Sequence, residues 1–221
     1  MPVEPTESWF VIPPPSPGDE DVVAVGGDLE PGTILQGYRK GLFPMHLQDG
    51  SLAWWSPVER AILPLDGLRI TRSLGQSTRR YRMTVDEDFE GVVAGCADPS
   101  REHGWITDEI VRAYMDLHRL GWAHSIEVWD AGGLLVGGLY GVAIGGLFCG
   151  ESMFHRARDA SKVALVHLVV LMNQGDGRMI DVQWQNPHLE SMGAVVIGRD
   201  EYLRRLPEAM AAPGPFDRLR R

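Results

Sequence analysis

The segment LLVGGLYGVAIGGLFCGESMFHRARDASK, residues 134–162, carries most of the information about the fold. Two apolar runs flank Gly145-Gly146, which predicts strands over Leu134–Ala143 and Leu147–Met153 joined by a tight hairpin. The second run brings one acid, Glu151, to its end. Apolar strands that deliver a single carboxylate to the edge of a sheet favour a site rather than a simple core.

The elements after the hairpin complete a mixed sheet. A basic connection leads into an apolar helix from Asp159 to about Asn173, and Met179–Trp184 predicts the next strand. Consecutive strands, then a helix, then another strand are typical of an acyltransferase-like sheet rather than of a doubly wound one. The predicted fold class is therefore α+β. We expect a main domain over residues 63–221 and a small N-terminal domain, residues 1–62, with little regular structure.

Composition limits the class of protein. The 221 residues, 44% of them hydrophobic, with a mean hydropathy of −0.13, suit a globular protein with one substantial core. We find no signal peptide and no apolar run long enough for a membrane span. Cys96 and Cys149 have no metal-type spacing and are expected to be reduced core thiols. These features predict a cytoplasmic protein without membrane contact.

The charge distribution matters more than the net charge of −9. Residues 1–33 hold seven acids and no Lys or Arg, which leaves the remainder close to neutral. Basic residues cluster in three places, within residues 69–82, within residues 156–162 and from Arg199 to Arg221. Local clusters of this kind hold a phosphate backbone despite an acidic total. A solvated arginine face is the alternative, and the sequence leaves both open. The candidates for nucleic-acid contact are Arg72, Arg79, Arg80, Arg82, Arg156, Arg158 and Lys162.

Two acids are candidates for chemistry. Asp181 and Gln183 are two apart on a predicted strand, so we expect both side chains on one face, with the amide orienting a group while the acid takes a proton. A buried Asp satisfied by backbone donors is the alternative. Glu151 suits an amine or cationic substrate, unless it pairs with Arg156 or Lys162. The histidines lack metal-ligand spacing, so we expect no metal.

Aromatic residues in loop-like sequence are further candidates. Trp54, Trp55 and Trp105 lie near Gly or Pro, and exposed aromatics beside arginines are typical of proteins that stack on unpaired bases. Packing in the core or between domains is the alternative, and for Trp54 the two interpretations have equal weight.

Taken together, eight segments resemble the leucyl/phenylalanyl-tRNA–protein transferases in order and spacing, from about Val22 to Leu206. They are VGGDL (25–29), QGYRKGLFP (36–44), WWSP (54–57), WIT (105–107), AHSIEVW (123–129), GLYGV (138–142), GESMF (150–154) and ASK (160–162). The resemblance implies a main domain with the GNAT acyltransferase fold. It also implies transfer of Leu, Phe or Met from tRNA to the N-terminal Arg or Lys of a protein, which marks that protein for N-degron degradation. No cofactor or metal is implied, and we expect a monomer.

The resemblance also assigns roles to individual residues. Asp181 and Gln183 match the family's proposed relay for deprotonating the attacking α-amine, and Glu151 matches the acid that helps to hold the reacting ends. Leu139, Phe148 and Leu165 match the apolar pocket for the aminoacyl side chain. Trp105 matches an aromatic that stacks on the terminal adenosine, and the basic residues named above become candidate tRNA contacts.

Three positions depart from the family pattern. Met45 stands where many members have Trp, which removes one face of the expected stack on the adenine. Leu168 stands where some members have Phe, which implies a wider pocket, and His155 replaces the usual Ser. Two other functions remain open from the residues alone: a GNAT-type enzyme that uses acyl-CoA, and a non-catalytic RNA-binding protein in which Asp181 is structural.

Overall fold

The computed structural model describes residues 1–16, 18, 20–100, 105–175 and 178–216. Ten strands and seven helices follow one another in this part of the chain. They are β1 (Val22–Val25), α1 (Pro31–Arg39), β2 (Phe43–His46), β3 (Leu52–Trp55), β4 (Glu59–Leu63), α2 (Arg72–Ser77), β5 (Arg82–Val85), α3 (Phe89–Cys96), α4 (Asp108–Leu120), β6 (Ala123–Trp129), β7 (Leu135–Ile144), β8 (Leu147–His155), α5 (Ala160–Met172), β9 (Met179–Gln183), α6 (Pro187–Met192), β10 (Val195–Gly198) and α7 (Arg199–Ala211). The predicted α+β class is confirmed at this level.

The main sheet has seven strands in the order β10-β4-β9-β8-β7-β6-β5. The hairpin predicted at Gly145-Gly146 is present, with Ile144 opposite Leu147 and Gly145 at a φ of 55°. All neighbouring strands are antiparallel except β8 and β9, which are parallel and joined by α5. A parallel pair needs such a crossover, because the chain has to return to the same end of the sheet.

Both faces of the central strands β7 and β8 are buried, which explains why these two strands are apolar along most of their length. On β7, Tyr140, Val142 and Ile144 belong to one core, with α1, α3 and α4. The alternate residues Leu139 and Ala143 belong to a second core, with α5. The Glu151 strand therefore lies in the middle of a three-layer arrangement.

The N-terminal region has more regular structure than the sequence indicated, so that expectation was wrong. β1, β3 and β2 form a three-stranded antiparallel sheet, and α1 begins at Pro31 as expected. Trp54 and Trp55, which we expected in a loop, lie in β3, and Trp54 is fully buried. Gly37 of α1 packs on that indole, since a Cβ there would come within 2.6 Å of the ring.

The expected domain boundary between residues 62 and 63 falls inside β4. This strand pairs with β9 on one side and β10 on the other, so it belongs to the main sheet. The division of the chain into two domains remains a prediction.

Candidate active site

A cavity of about 540 Å³ opens where β8 and β9 stop pairing. The two strands pair up to Cys149 and Asp181, and residues beyond this point on both strands line the cavity. Its volume lies in the usual range for a small-molecule site. Eight residues that we expected in the site line it: Met45, Trp105, Leu139, Phe148, Glu151, Leu165, Leu168 and Gln183.

Glu151 is the acid of this cavity. Its side chain is buried and accepts hydrogen bonds from the Tyr38 hydroxyl (2.6 Å), the Tyr114 hydroxyl (2.8 Å) and Nε2 of Gln183 (3.0 Å). Among the described residues these are its hydrogen-bond partners, and the expected alternative, an ion pair with Arg156 or Lys162, is not formed. Burial raises the pKa of Glu151 to about 7, although the two tyrosine hydrogen bonds act in the opposite direction.

The two tyrosines come from separate helices. Tyr38 lies near the end of α1 and Tyr114 in α4, and their hydroxyls are 2.7 Å apart. Burial and the neighbouring Glu151 raise the pKa of each well above its usual range, so both stay protonated and donate. Neither role was predicted from the sequence: Tyr114 occupies a position of an apolar helix stripe, where its hydroxyl carries no separate signal.

Asp181 lies behind the cavity rather than in its wall. It is completely buried and pairs with Arg60, whose Nε and Nη2 donate to its two oxygens at 2.9 and 2.5 Å. The Tyr202 hydroxyl donates to Oδ2 at 2.8 Å and the backbone N–H of Gln183 to Oδ1 at 2.9 Å. Neither Arg60 nor Tyr202 was identified from the sequence.

Gln183 connects the two acids. Its backbone has a φ of 63°, which is uncommon for a residue with a side chain. The register of β9 against β4 is irregular at the same place, where Ala61 pairs with Gln183 and Ile62 with Asp181. Such irregularities redirect a side chain at the end of a strand, and here the amide reaches Glu151.

An apolar wall faces these polar groups. The expected residues Leu139, Phe148, Leu165 and Leu168 all belong to the core beneath α5 and are at most 3% exposed. The same wall also contains Met153, Ile180, Val182 and Leu189, which were not predicted from the sequence. A wall without hydrogen-bonding side chains selects an occupant by size and shape alone.

The mouth of the cavity is defined by lining residues that are partly or fully exposed. Trp105, Met45 and Trp184 belong to it, and the Trp184 ring is in edge contact with Phe43 at a centroid distance of 4.9 Å. His155 and His188 belong to it as well. Burial lowers the pKa of His188, and Lys162 and His155 lower it further, which places these three bases near one another.

The seven basic candidates lie outside the cavity lining. Arg72, Arg79 and Arg80 belong to or follow α2, which packs on α5, and all three are exposed. Arg82 is already engaged, because it pairs with Glu87 at 2.7 Å and lies 5.0 Å over the Trp129 ring. In the connection between β8 and α5, Arg156 and Arg158 are exposed, and Lys162 is partly buried in the first turn of α5.

Two further properties concern the described residues as a whole. They contain no group of three or more His, Cys, Asp or Glu side chains able to hold a metal ion. None of the helices found among them has the length and apolar character needed to cross a membrane.

Comparison with known proteins places these residues in a family. The family model for leucyl/phenylalanyl-tRNA protein transferase matches residues 62–207, and that for its N-terminal domain matches residues 27–58. A leucyl/phenylalanyl-tRNA–protein transferase of Pseudoalteromonas atlantica is 46% identical over 209 residues, covering 91% of this chain and 89% of that protein. Proteins of the same name from Rubrobacter xylanophilus and a Ruegeria species are 49% and 50% identical, over 85% of this chain and 98% and 90% of theirs.

Similarity to solved structures is weaker. A structure titled as L-PGS from Bacillus licheniformis has a TM-score of 0.40 and 14% identity, over 67% of this chain and 56% of that chain. This likeness is too slight to carry an argument about the fold.

Proposed function

The chain belongs to the leucyl/phenylalanyl-tRNA–protein transferase family, and on that premise we propose that it moves Leu or Phe from charged tRNA to the N-terminal Arg or Lys of acceptor proteins. The observation that carries the proposal is the cavity itself. It places Glu151 and the amide of Gln183 opposite an apolar wall that suits an aliphatic or aromatic side chain. The product would be a protein marked for degradation by the N-degron route.

The reaction needs little activation of the donor, because an aminoacyl ester is already reactive. The α-amine of the acceptor attacks the ester carbonyl, the C–N bond forms, and the C–O bond to the terminal ribose breaks. One proton leaves the amine, and the departing ribose oxygen gains one. Holding the two ends in contact lowers the barrier by about 7–11 kcal/mol in favourable cases. Positioning is therefore the main contribution we assign to the cavity.

Glu151, Gln183 and Asp181 form the proposed reaction centre. Glu151 and Gln183 line the cavity and suit contact with the attacking amine, since a carboxylate binds an ammonium group and orients it. Asp181 is absent from the cavity lining and is connected to it by the hydrogen bond that it accepts from the backbone N–H of Gln183. We therefore assign it an indirect role.

Donor recognition is divided between the wall and the mouth. Leu139, Phe148, Leu165 and Leu168 take the aminoacyl side chain, and their lack of polar groups allows Leu, Phe and Met to share the site. Trp105 and Met45 take the terminal adenosine at the mouth. The exposed basic residues near α2 and at the start of α5 take the acceptor stem of the tRNA.

The remaining expectations are part of the same proposal. We assign the main domain to the GNAT acyltransferase fold, on the strength of the mixed sheet and its single parallel crossover through α5. We also propose that the protein acts as a cytoplasmic monomer, without metal or coenzyme, and uses methionyl-tRNA as a further donor.

The test is transfer of labelled Leu or Phe from charged tRNA to a peptide that begins with Arg or Lys. The matched control is the same peptide with its α-amine acetylated, which removes the nucleophile and nothing else. Transfer to the free peptide alone supports the proposal. No transfer by folded protein contradicts it, and transfer from leucyl-CoA instead of leucyl-tRNA would assign the chain to the acyl-CoA enzymes.

A further inference from the structure

Arg60 and Asp181 form the most completely buried ion pair of the described chain, with side chains that are 1% and 0% exposed. A buried ion pair is expensive to desolvate and usually offers stability no better than an apolar pair would. The position of this ion pair suggests a role in the site, because Asp181 accepts the backbone N–H of Gln183, whose side-chain amide contacts Glu151.

The carboxylate of Asp181 has no free acceptor position. Its two oxygens receive four hydrogen bonds, from Nε and Nη2 of Arg60, from the Tyr202 hydroxyl and from the Gln183 backbone. An ionised carboxylate has about four lone-pair sites. The Sγ of Cys149 lies 3.5 Å from Oδ2 as well. A proton from a substrate amine would therefore have to displace one of these donors.

Arg60 is held as firmly as its partner. Its guanidinium lies between the rings of Phe43 (4.9 Å) and Tyr202 (4.4 Å), and its Nη1 donates to the carbonyl of Gly41 at 3.2 Å. Burial alone would lower its pKa, but the Asp181 carboxylate raises it above the ordinary value on balance. The pair joins four parts of the fold: the connection after α1, β4, β9 and α7.

The geometry points to Arg60 as a positioning residue of the transfer reaction: its two hydrogen bonds hold the Asp181 carboxylate in place, the Oδ1 of that carboxylate fixes the left-handed backbone of Gln183, and the Gln183 amide is thereby aimed at Glu151. Glu151, rather than Asp181, then accepts the proton of the attacking amine as the C–N bond forms. That proton passes to the ribose oxygen as the C–O bond breaks, which returns the carboxylate. The inference rests on the proposed function.

The charges around Glu151 make the inference measurable. Facing Glu151 are Tyr38 from α1, Tyr114 from α4, and Asp181 of β9 with Arg60 of β4 behind it. Asp181 raises the pKa of Glu151, whereas Arg60 lowers it. Removing the Arg60 charge alone leaves an uncompensated anion near Glu151, while removing both charges leaves none.

The experiment compares Arg60→Met with the double variant Arg60→Met/Asp181→Asn. The carboxyl resonance of Glu151 is followed by NMR in protein labelled with carbon-13 at Glu, and it is assigned by its loss in Glu151→Gln. Transfer of Leu to an Arg peptide is measured over the same pH range. Arg204→Met, at an exposed ion pair on α7, is the matched control.

We expect Arg60→Met to raise the Glu151 midpoint by about 1 pH unit, as an unbalanced neighbouring charge does. In the same variant we expect kcat for transfer at pH 7 to fall about tenfold, while the KM for charged tRNA stays unchanged. The double variant should return the midpoint close to that of the unaltered protein and recover transfer, because the amide oxygen introduced by Asp181→Asn still accepts the Gln183 N–H.

Two results would overturn the inference. The first is a midpoint of the Glu151 titration that is the same in Arg60→Met as in the unaltered protein. The second is a double variant that folds but transfers nothing, because that result would make the Asp181 carboxylate essential as a base. If Arg60→Met does not fold, the double variant decides alone. A third result separates the inference from the proposed function. If the unaltered protein transfers nothing, but Arg60→Met still shifts the midpoint of the Glu151 titration, the proposed function is contradicted and the coupling between the two residues is established.

Discussion

The Tyr38 hydroxyl donates a 2.6 Å hydrogen bond to Oε1 of Glu151, 113 positions further along the chain. The donor belongs to the segment that matches the N-terminal family model, and the acceptor to the segment that matches the main one. The candidate site is therefore assembled from both segments, and the N-terminal region contributes to its electrostatics as well as to packing.

Replacing Tyr38 by Phe removes this hydroxyl and keeps the ring. A hydrogen bond to a charged group contributes about 1.5–3 kcal/mol, so we expect kcat/KM for Leu transfer at pH 7 to fall about tenfold or more. The pKa of Glu151 should rise, because the bond from Tyr38 lowers it in the intact protein. The measurement is the rate of transfer between pH 6 and 9.

The control for this substitution is Tyr81→Phe, whose hydroxyl donates to the Arg158 carbonyl at the surface. Its pH profile should match that of the unaltered protein. An unchanged profile in Tyr38→Phe would mean that Glu151 does not take part in the rate-limiting chemistry.

Glu151→Gln should stabilise the protein at alkaline pH while abolishing most transfer. Folding raises the pKa of Glu151 from 4.5 to about 7, so the native state binds the proton more tightly than the unfolded chain. The stability that this group contributes is full below pH 4.5, falls as the pH rises, and above pH 7 is lower by about 3 kcal/mol. The amide cannot ionise and escapes this loss.

Urea unfolding at pH 5 and pH 8 measures the effect as the difference between the variant and the unaltered protein. The difference should favour Glu151→Gln more strongly at pH 8. Glu190→Gln, an exposed residue of α6, serves as the control and should show no such change between the two pH values. If the free energy of unfolding changed equally between pH 5 and pH 8 in the unaltered protein and in Glu151→Gln, burial would not perturb the pKa of Glu151.

The sequence predicted the hairpin, Glu151 and the apolar wall because each has a local signal: a Gly-Gly turn, an acid in an apolar strand, and motifs in register. Tyr38 lies in the segment QGYRKGLFP, but nothing there indicates the partner of its hydroxyl, and Arg60 has no local signal. They lie 113 and 121 positions from the acids that they contact, and only tertiary packing brings them there. Arg60 also falls within residues 1–62, for which we expected little regular structure, although β4 pairs within the main sheet.

Met45→Trp should strengthen binding of the terminal adenosine. Met45 and Trp105 both line the cavity mouth, and the Met45 carbonyl already accepts the Trp55 indole N–H, so the backbone at this position is fixed. Stacking of a base on an aromatic ring contributes about 1–3 kcal/mol, and its lower limit corresponds to about fivefold tighter binding. The measurement is the Kd of a non-reactive amide analogue of 3′-phenylalanyl-adenosine.

Met45→Leu is the control, and its Kd should stay within about twofold of that of the unaltered protein, since Leu adds no ring. Equal affinities for the Trp and Leu variants would place the adenine elsewhere.

Leu168→Phe should shift donor preference from Phe towards Leu. Leu168 is 1% exposed and forms part of the cavity wall, so a larger ring takes space from the aminoacyl side chain. Differences of this size in an apolar pocket change relative rates about tenfold or more. The measurement is the ratio of kcat/KM for phenylalanyl- and leucyl-tRNA. Val170→Phe, on the exposed side of the same helix, should leave the ratio unchanged. An unchanged ratio in Leu168→Phe would show that the donor side chain lies against another part of the wall.

Arg79 and Arg82 should differ in their contribution to tRNA binding, although both belong to one basic cluster. Arg79 is exposed and free to meet a phosphate, whereas Arg82 is held by Glu87 and by the Trp129 ring. Loss of one phosphate contact reduces the slope of log K against log salt by about 1. We expect this reduction for Arg79→Ala and a smaller one for Arg82→Ala, measured as the affinity for charged tRNA at several salt concentrations.

Arg204→Ala is the control, because Arg204 pairs with Glu201 on α7 and is not among the proposed contacts. Equal slopes in Arg79→Ala and Arg204→Ala would contradict a tRNA contact at Arg79, and a full unit lost in Arg82→Ala would mean that tRNA displaces Glu87 from its partner.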